Sequence, residues 1–560
     1  MAAPTDPEII AHWKGELAPL LGALQAFHDR DGYLSEAALL ATAAGLGIPL
    51  ADLYGTVTFY HHFSREGPGQ HAPRVCTGNV CSLRGGRELL EALRSEGATA
   101  MPCSGRCDDP VPVLRGRETW VGTAPDNLER RPSRLPDLNP GGCEECAFAA
   151  IRERGRSGLE GYLRTGGYAA LEKALAELEP ESVVGLMTES GLTGRGGAQF
   201  PTGVKWKAVW EAPGRPKYVV CNADEGEPGC FKDRALMDYD PHAVLEGMAL
   251  AGYACGASDG VIYLRYEYPE TCAILAQAIA EAETGGWLGD DVRGSGFSFR
   301  VHLRRGAGAY ICGEETSLLN SLEGKHPFPR NKPPFPVTHG LNGLPTAVNN
   351  VETLVNVPPI VLRGAAWYRG LGIGEHAGTK IISLSGDVRL PGNYEIPIGL
   401  PLRTLLYDWA GGPPEGRAFQ AVTMAGLSGG FVGASAIDDV TLDDPCLRAR
   451  GSFLGAGGII VFDDSRDMVE AAREAMEFFA HESCGKCFPC RIGTMRLSER
   501  LSGDGGPADT GAWTAEVLDI GDVMKATSAC GLGLAAPLVT ESLLRYFPAA
   551  VESHRMTRRT

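Results

Sequence analysis

The chain lacks any run of about 18 apolar residues, so its sequence holds no candidate for a membrane-crossing helix. Its first residues, MAAPTDPEIIAHWKGEL, lack the charged start, apolar stretch and small-residue cleavage site of a secretory signal, and a cytoplasmic location is expected. Positive charge is also short: 52 basic residues face 69 acidic ones, and the net charge of −17 argues against nucleic acid or an anionic membrane face as a partner. No motif recurs at a period of about 20 to 50 residues, which removes solenoid architectures. Cysteine, by contrast, is plentiful. Sixteen thiols in a reducing compartment exceed what packing needs, and clustered ones point to metal rather than to disulfides.

At 560 residues the chain is too long for one core, and about three to five domains are expected. Residues 1–70 read as helical, with LAPLLGALQAFHD, SEAALLATAAGLG and PLADLYGTVTFYHHF spacing apolar residues three and four apart. Residues 71–128 alternate strand, cysteine loop and helix, a small α/β unit. Residues 129–158, rich in proline, arginine and glycine, read as a linker. From 159 to 376 strands such as KYVVCNAD alternate with helices such as HAVLEGMALAGYACG, which predicts a larger Rossmann-like domain. Residues 377–457 show strand alternation and a proline-glycine turn, read as a β-grasp module, and 458–560 return to helix as a closing bundle.

Cysteine spacing separates two constellations. Cys76 and Cys81 in CTGNVC, with Cys103 and Cys107 in CSGRC, place two thiols on each of two short loops of one small unit. That suits two irons with bridging sulfides; the alternative is zinc, which more often takes pairs two residues apart. Cys484, Cys487 and Cys490 in ESCGKCFPCR wrap one face of a cubane, and Cys530 closes it from a distance. Cys143 and Cys146 cannot complete a four-ligand site alone and read as a reduced surface dithiol. Most of the remaining single cysteines read as small buried hydrophobes.

A second concentration of signal lies in polar, glycine-rich stretches. GRGGAQFPTGVKW (194–206) supplies bare backbone that a phosphate or ring system can approach, with Lys205 as a cation. CNADEGEPG (221–229) follows a strand, where α/β domains bind ligands. GAGAYICGEET (306–316), PRNKPPFP (329–336) and AVNNVET (347–353) add a second glycine turn, a cation beside a ring, and two adjacent amides.

Together these stretches resemble the NADH-binding flavoprotein subunit of respiratory complex I and the diaphorase subunits of NAD-reducing hydrogenases and NAD-dependent formate dehydrogenases. Residues 15–125 resemble the thioredoxin-like 2Fe-2S subunit of the same systems. The resemblance implies FMN at Gly194, Arg195, Gly196, Gly197, Lys205, Asn222, Asp224, Glu225, Tyr310, Gly313, Glu314, Asn349, Asn350 and Thr353. NAD(H) is implied at Phe200, Glu227, Glu315, Lys332 and Phe335, with NAD favoured over NADP. It also implies a 2Fe-2S cluster on Cys76, Cys81, Cys103 and Cys107, and a 4Fe-4S cluster on Cys484, Cys487, Cys490 and Cys530. No side-chain acid or base is required for hydride transfer, so Glu225 and Glu315 are expected to position rings. The overall look is nearest to the β subunit of a molybdenum or tungsten formate dehydrogenase, which implies a molybdopterin catalytic partner carrying its own clusters, in a hetero-oligomer. A hydrogenase or complex I diaphorase is the alternative. Gln199 departs from the family, which usually has glycine there, so its side chain is expected to point away from the flavin or to touch the nucleotide.

Overall fold

A computed structural model describes residues 3–136, 138–503 and 505–557. The N-terminal part is helical, with helices Asp6–Lys14, Pro19–Asp31, Glu36–Leu46 and Leu50–Phe59. Ser35 caps the third by accepting the Ala38 N–H at 3.1 Å, and Gly32 and Gly47 end the second and third in left-handed conformations. Helix Pro19–Asp31 buries Leu20, Leu24 and Phe27, and its Gln25 amide donates to the carbonyls of Arg305 (2.8 Å) and Gly306 (2.7 Å). The N-terminal helices thus lie against an edge of the central domain.

A five-stranded sheet follows, built from β1 (Arg74–Cys76), β2 (Thr99–Met101), β3 (Pro112–Arg115), β4 (Glu118–Val121) and β5 (Glu129–Arg130) in the order β2-β1-β3-β4-β5. Only β1 and β2 run parallel, with the chain crossing between them through helix Gly86–Ala92. The two cysteine loops therefore emerge side by side, one after β1 and one after β2.

The central domain carries a four-stranded parallel sheet of β6 (Tyr218–Ala223), β7 (Asp259–Leu264), β8 (Arg300–Arg305) and β9 (Thr346–Asn350), ordered β8-β7-β6-β9. The chain moves outward from β6 to β8 and then returns to β9 on the other side of β6. Strand order reverses at the β6/β9 boundary, where open α/β sheets leave a crevice beyond their carboxyl ends. Asn222 pairs in register with Asn350 at that point.

The third sheet has β10 (Thr379–Gly386), β11 (Gly392–Pro397), β12 (Phe419–Thr423), β13 (Phe431–Gly433) and β14 (Gly458–Asp463), ordered β11-β10-β14-β12-β13. One boundary needs correcting. GIIVFD at 458–463 was expected to begin the bundle, but it is the central strand of this sheet, parallel to β10 and antiparallel to β12. A short, wholly apolar run does not reveal by its pattern which neighbour it will bury against. The bundle begins at helix Met468–Glu482, whose Asp467 cap accepts the Val469 and Glu470 N–H groups. Helices Phe488–Ser502, Thr510–Thr527, Gly531–Ala535, Pro537–Tyr546 and Pro548–Thr557 complete it.

The connecting segment is packed rather than a loose tether. Its start forms β5, Phe148 is fully buried, and the Glu395 carboxylate accepts the backbone N–H groups of Cys146 (2.7 Å), Ala147 (3.0 Å) and Phe148 (2.6 Å). Cys146 is consequently buried while Cys143 is half-exposed, so the expected surface dithiol does not form.

Glu395 gives a test of this attachment. Burial pushes its carboxyl from 4.5 up to about 7, against the pull of the Thr379 hydroxyl and the three N–H groups. A carboxyl raised in the folded state contributes stability that is complete below its unfolded value and lost as pH rises toward 7. A decline on the order of 3 kcal/mol between about pH 4.5 and 7 is expected from this group, and Glu395→Gln should remove it. Urea midpoints of the two proteins measured across that range check this; parallel slopes would refute it.

Candidate cofactor cavity and cluster sites

The stretch from 193 to 201 folds back on itself. Thr193 bridges Pro201, and the Gly194 N–H donates to the Phe200 carbonyl at 2.9 Å, before helix Thr202–Glu211 begins. Its tip, Gly196 to Ala198, lines a cavity of about 350 Å³ at the carboxyl ends of β6 and β9. A Cβ on Gly196 would stand 2.9 Å from that of Asn350, and Gly197 has φ +122°. Bare backbone is required at both positions.

The same cavity is lined by Asn222, Asp224, Glu225, Tyr310, Gly313, Glu314 and Asn350, all expected at FMN, and by Glu227. The other expected FMN residues stand behind this wall. Arg195 sends its guanidinium to Thr193 and to the Tyr368 hydroxyl (2.8 Å), and its backbone N–H donates to the Thr353 hydroxyl at 2.8 Å. Asn349 accepts the Trp206 indole N–H at 2.9 Å, and Lys205 donates to the Val348 carbonyl at 2.8 Å. With Gly194 they shape the loop and do not line the cavity.

Residues expected at NAD(H) gather at one side of it. Phe200 and Phe335 are 49% and 53% exposed, which is unusual for aromatic rings. Near them, Lys332 pairs with Glu315 at 2.7 Å and Glu314 at 3.3 Å, and Lys205 reaches Glu315 at 3.5 Å. Burial would raise the Glu315 carboxyl, but the two lysines hold it below its ordinary value. Glu227 sits apart from this group. It accepts the N–H groups of Leu427 (2.8 Å) and Ser428 (3.1 Å), the Ser428 hydroxyl (2.8 Å) and the Tyr310 hydroxyl.

Several wall residues were not anticipated. Cys230 and Asp233 come from the central domain, Ala425, Ser428, Gly455 and Ala456 from the third sheet, and Leu532 and Ala535 from the bundle. The glycine-rich GLSGG and LGAGG that carry several of them were a visible signal, since they echo the loop at 194. Behind the wall, Lys232 and Lys380 both pair with the buried Glu352 of the NNVET stretch.

The cavity is crowded with carboxyls. Burial raises Asp224 well above its usual range, Glu225 to about 7 with help from Asp233, and Glu227 as well. Asp224 also keeps one buried oxygen without a hydrogen-bond partner. Such an atom calls for a donor from whatever fills the cavity. Glycine backbone, paired amides and an orphaned carboxyl oxygen together fit a polyhydroxyl chain and a heteroaromatic ring, which is the chemistry of FMN.

Both cysteine sets converge. Cys76, Cys81, Cys103 and Cys107 are all buried, with Cys103 and Cys107 sulfurs 3.4 Å apart, and Cys103 within hydrogen-bonding reach of Cys76. A Cβ on Gly78 would press on Cys103 at 3.0 Å, so that loop too needs its glycine. Cys484, Cys487, Cys490 and Cys530 line one small cavity of their own. Free thiols grouped in fours in this way suit iron-sulfur clusters. Cys530 and Ile311 also line the 350 Å³ cavity, and Cys103 lines a small pocket with Asp224 and Tyr310. Each cluster site therefore shares a wall with residues of the central cavity.

The chain belongs to the family of FMN-binding, iron-sulfur NADH dehydrogenase subunits, and its cofactors are FMN, a 2Fe-2S cluster and a 4Fe-4S cluster, with NADH as the family's nucleotide. Residues 187–359 match the Nuo51 FMN-binding domain, 470–554 the NADH-ubiquinone oxidoreductase-F iron-sulfur binding region, 7–109 the thioredoxin-like 2Fe-2S ferredoxin, and 381–430 the SLBB domain, which is the β-grasp module. The F 2 subunit of the NADH-quinone oxidoreductase of Rhizobium meliloti is 49% identical over 72% of this chain and 95% of its own length. The alpha subunit of the NAD-reducing hydrogenase HoxS of Cupriavidus necator is 33% identical over 96% of this chain and 92% of its own. A crystal structure of an NAD+-reducing NiFe hydrogenase in its H2-reduced state has a TM-score of 0.81 and 30% identity, covering 96% of this chain and 92% of that one.

Gln199 is explained by its backbone. It has φ +52°, the left-handed region where a side chain costs about 1–2 kcal/mol and glycine costs nothing. Its side chain does not line the cavity. Gln199→Gly should leave stability unchanged or raise it by up to about 1 kcal/mol, and Gln199→Val should lower it by at least about 1 kcal/mol. Gly196→Ala should weaken FMN retention by roughly tenfold or more, because Asn350 would have to move. Flavin fluorescence released on dilution measures the second effect; full retention in Gly196→Ala would refute the placement.

Proposed function

We propose that this chain is the diaphorase subunit of a multi-subunit oxidoreductase, moving electrons between NAD(H) and a catalytic partner. The observation that carries the reading is the shared walls: the cavity with FMN-like lining includes Cys530, and its Asp224 and Tyr310 also line a small pocket with Cys103. FMN supplies the conversion that this requires, taking two electrons as hydride and yielding them singly.

The protein's own contribution is placement. Gly196, Gly197 and Gly313 let a flat ring system lie against backbone, while Asn222, Asp224 and Asn350 meet its polar edge. Phe200 and Phe335 offer faces on which nucleotide rings stack, and Lys205 and Lys332 offer charge for the pyrophosphate. Glu315, held ionised between the two lysines, orients them. The preference for NAD over NADP rests on this acidic neighbourhood. One relative, a subunit of an NADP-reducing hydrogenase of Solidesulfovibrio fructosivorans, is 43% identical over 71% of the chain, so the family spans both nucleotides. Cys530, shared between the two cavities, links the FMN-like cavity to the 4Fe-4S ligand set.

For the partner's substrate, two readings stand side by side. Formate rests on the resemblance of the motifs. Hydrogen is favoured by a specific observation, that hydrogenase proteins match 96% of this fused chain, 2Fe-2S unit included. A cytoplasmic location is supported by the eight cysteines outside the two cluster sets, unpaired thiols of the kind a reducing compartment maintains. Among the described residues no helix is long and apolar enough to cross a membrane.

The purified chain should show a flavin spectrum and reduce dyes with NADH faster than with NADPH; no flavin and no dye reduction would sink the diaphorase reading. Cys484→Ala should keep NADH-dependent dye reduction yet lose electron delivery to the copurified partner by roughly a hundredfold. Assays of the copurified complex with formate and with hydrogen then separate the two partner readings.

A further inference from the structure

Beside the small pocket that joins Cys103 to Asp224 and Tyr310, and partly lining it, three side chains from distant parts of the sequence meet at the junction of the N-terminal unit and the bundle. His61 follows helix Leu50–Phe59, while His481 and Glu482 end helix Met468–Glu482. The ligand-capable atoms of the three lie within 4.8 Å of one another. His61 Nε2 stands 3.1 Å from a Glu482 oxygen, and the two imidazoles stack with centroids 4.7 Å apart.

We propose that His61, His481 and Glu482 form a binding site for a borderline divalent cation of the zinc or nickel type. Two imidazoles and one carboxylate are the donor set of a three-ligand zinc centre, which leaves a fourth position for water. The cation replaces the direct contact between His61 and Glu482. His61 is held by its backbone, whose N–H donates to the Gly308 carbonyl at 3.0 Å, and Glu482 is held through its second oxygen, which accepts the Tyr310 N–H at 3.0 Å. His481 is exposed, and turning its ring off the stack on His61 closes the remaining distance to metal-nitrogen bonds of about 2.0–2.1 Å.

Access is provided by a cleft of about 710 Å³ between the 2Fe-2S unit and the bundle, with His481 on its wall. Because its ligands come from residue 61 and from residues 481–482, the cation ties the N-terminal unit to the bundle. Through Glu482 it also grips the backbone of Tyr310, a wall residue of the central cavity.

The experiment uses the tag-free chain with its flavin and both clusters, treated with EDTA and then titrated with Zn2+ by calorimetry, with zinc and iron counted after desalting. Wild type should retain about one equivalent of zinc at unchanged iron content, and its thermal midpoint should rise with zinc. His481→Ala, a surface change, should weaken zinc binding at least roughly tenfold and abolish the thermal shift, with Glu482→Gln behaving alike and His12→Ala, a change at an exposed histidine of the first helix, behaving as wild type. No zinc retained, zinc taken up only as iron is lost, or equal affinity in His481→Ala would each overturn the proposal.

Discussion

One carboxylate holds the central cavity together. Glu227 accepts hydrogen bonds from two backbone N–H groups of the β-grasp loop at 427–428, from the Ser428 hydroxyl and from the Tyr310 hydroxyl. Gly426 packs so closely that a Cβ there would meet the Glu227 side chain at 2.3 Å. A half-buried acid with four donors is well satisfied, and losing it would leave those donors facing each other without an acceptor. The consequence is architectural. This clasp adds to the Lys380–Glu352 pair and the Ile381 N–H bond to Glu352 in fixing the third sheet against the parallel sheet, and it secures the far wall of the cavity.

That wall matters because the chemistry joins two kinds of electron carrier. Hydride brings a pair, and each cluster takes one, so the group that converts between them would have to lie within reach of both. The fold meets the requirement by assembling the cavity from three units. The parallel sheet supplies the floor at its switch point, the β-grasp sheet closes one side, and the bundle inserts Cys530 and Leu532. The crowd of carboxyls is compatible with an anionic cofactor because burial raises Asp224 and Glu225 above their ordinary range, which eases their repulsion of a neighbouring negative charge.

The sequence made the local chemistry legible more readily than the assembly. Three cysteines at two-residue spacing with a distant fourth, and glycines at 196 and 197, constrain ligand type and backbone directly, and the structure brings each set together. Arg195 and Asn349 were harder to judge, since their side chains serve the loop from behind, towards Tyr368 and Trp206. Nothing in their local pattern distinguishes facing the cavity from supporting its wall. The contribution of Ala456, Ser428 and Ala535 was hidden for a related reason. These residues join the site through contacts between units, and periodicity reports only which face of an element is buried, not against what.

The same logic explains why the 2Fe-2S unit, though small, is fixed to the flavin domain. Two buried arginines of the parallel-sheet domain reach into its second cysteine loop. Arg265 donates to the Cys103 carbonyl at 2.6 Å and to the Glu225 carbonyl, and pairs with Glu267 at 3.0 Å. Arg234 donates to the Gly105 carbonyl and pairs with Asp108 at 2.9 Å. Burying guanidinium groups is costly unless every donor finds an acceptor in good geometry, and a planar fork suits several acceptors at once better than lysine would. The carbonyls of a cysteine loop wrapped around a cluster point outward and need donors. Arg234 and Arg265 meet that need from the neighbouring domain, and Arg265 holds the loop around the cluster and the edge of the flavin cavity at once.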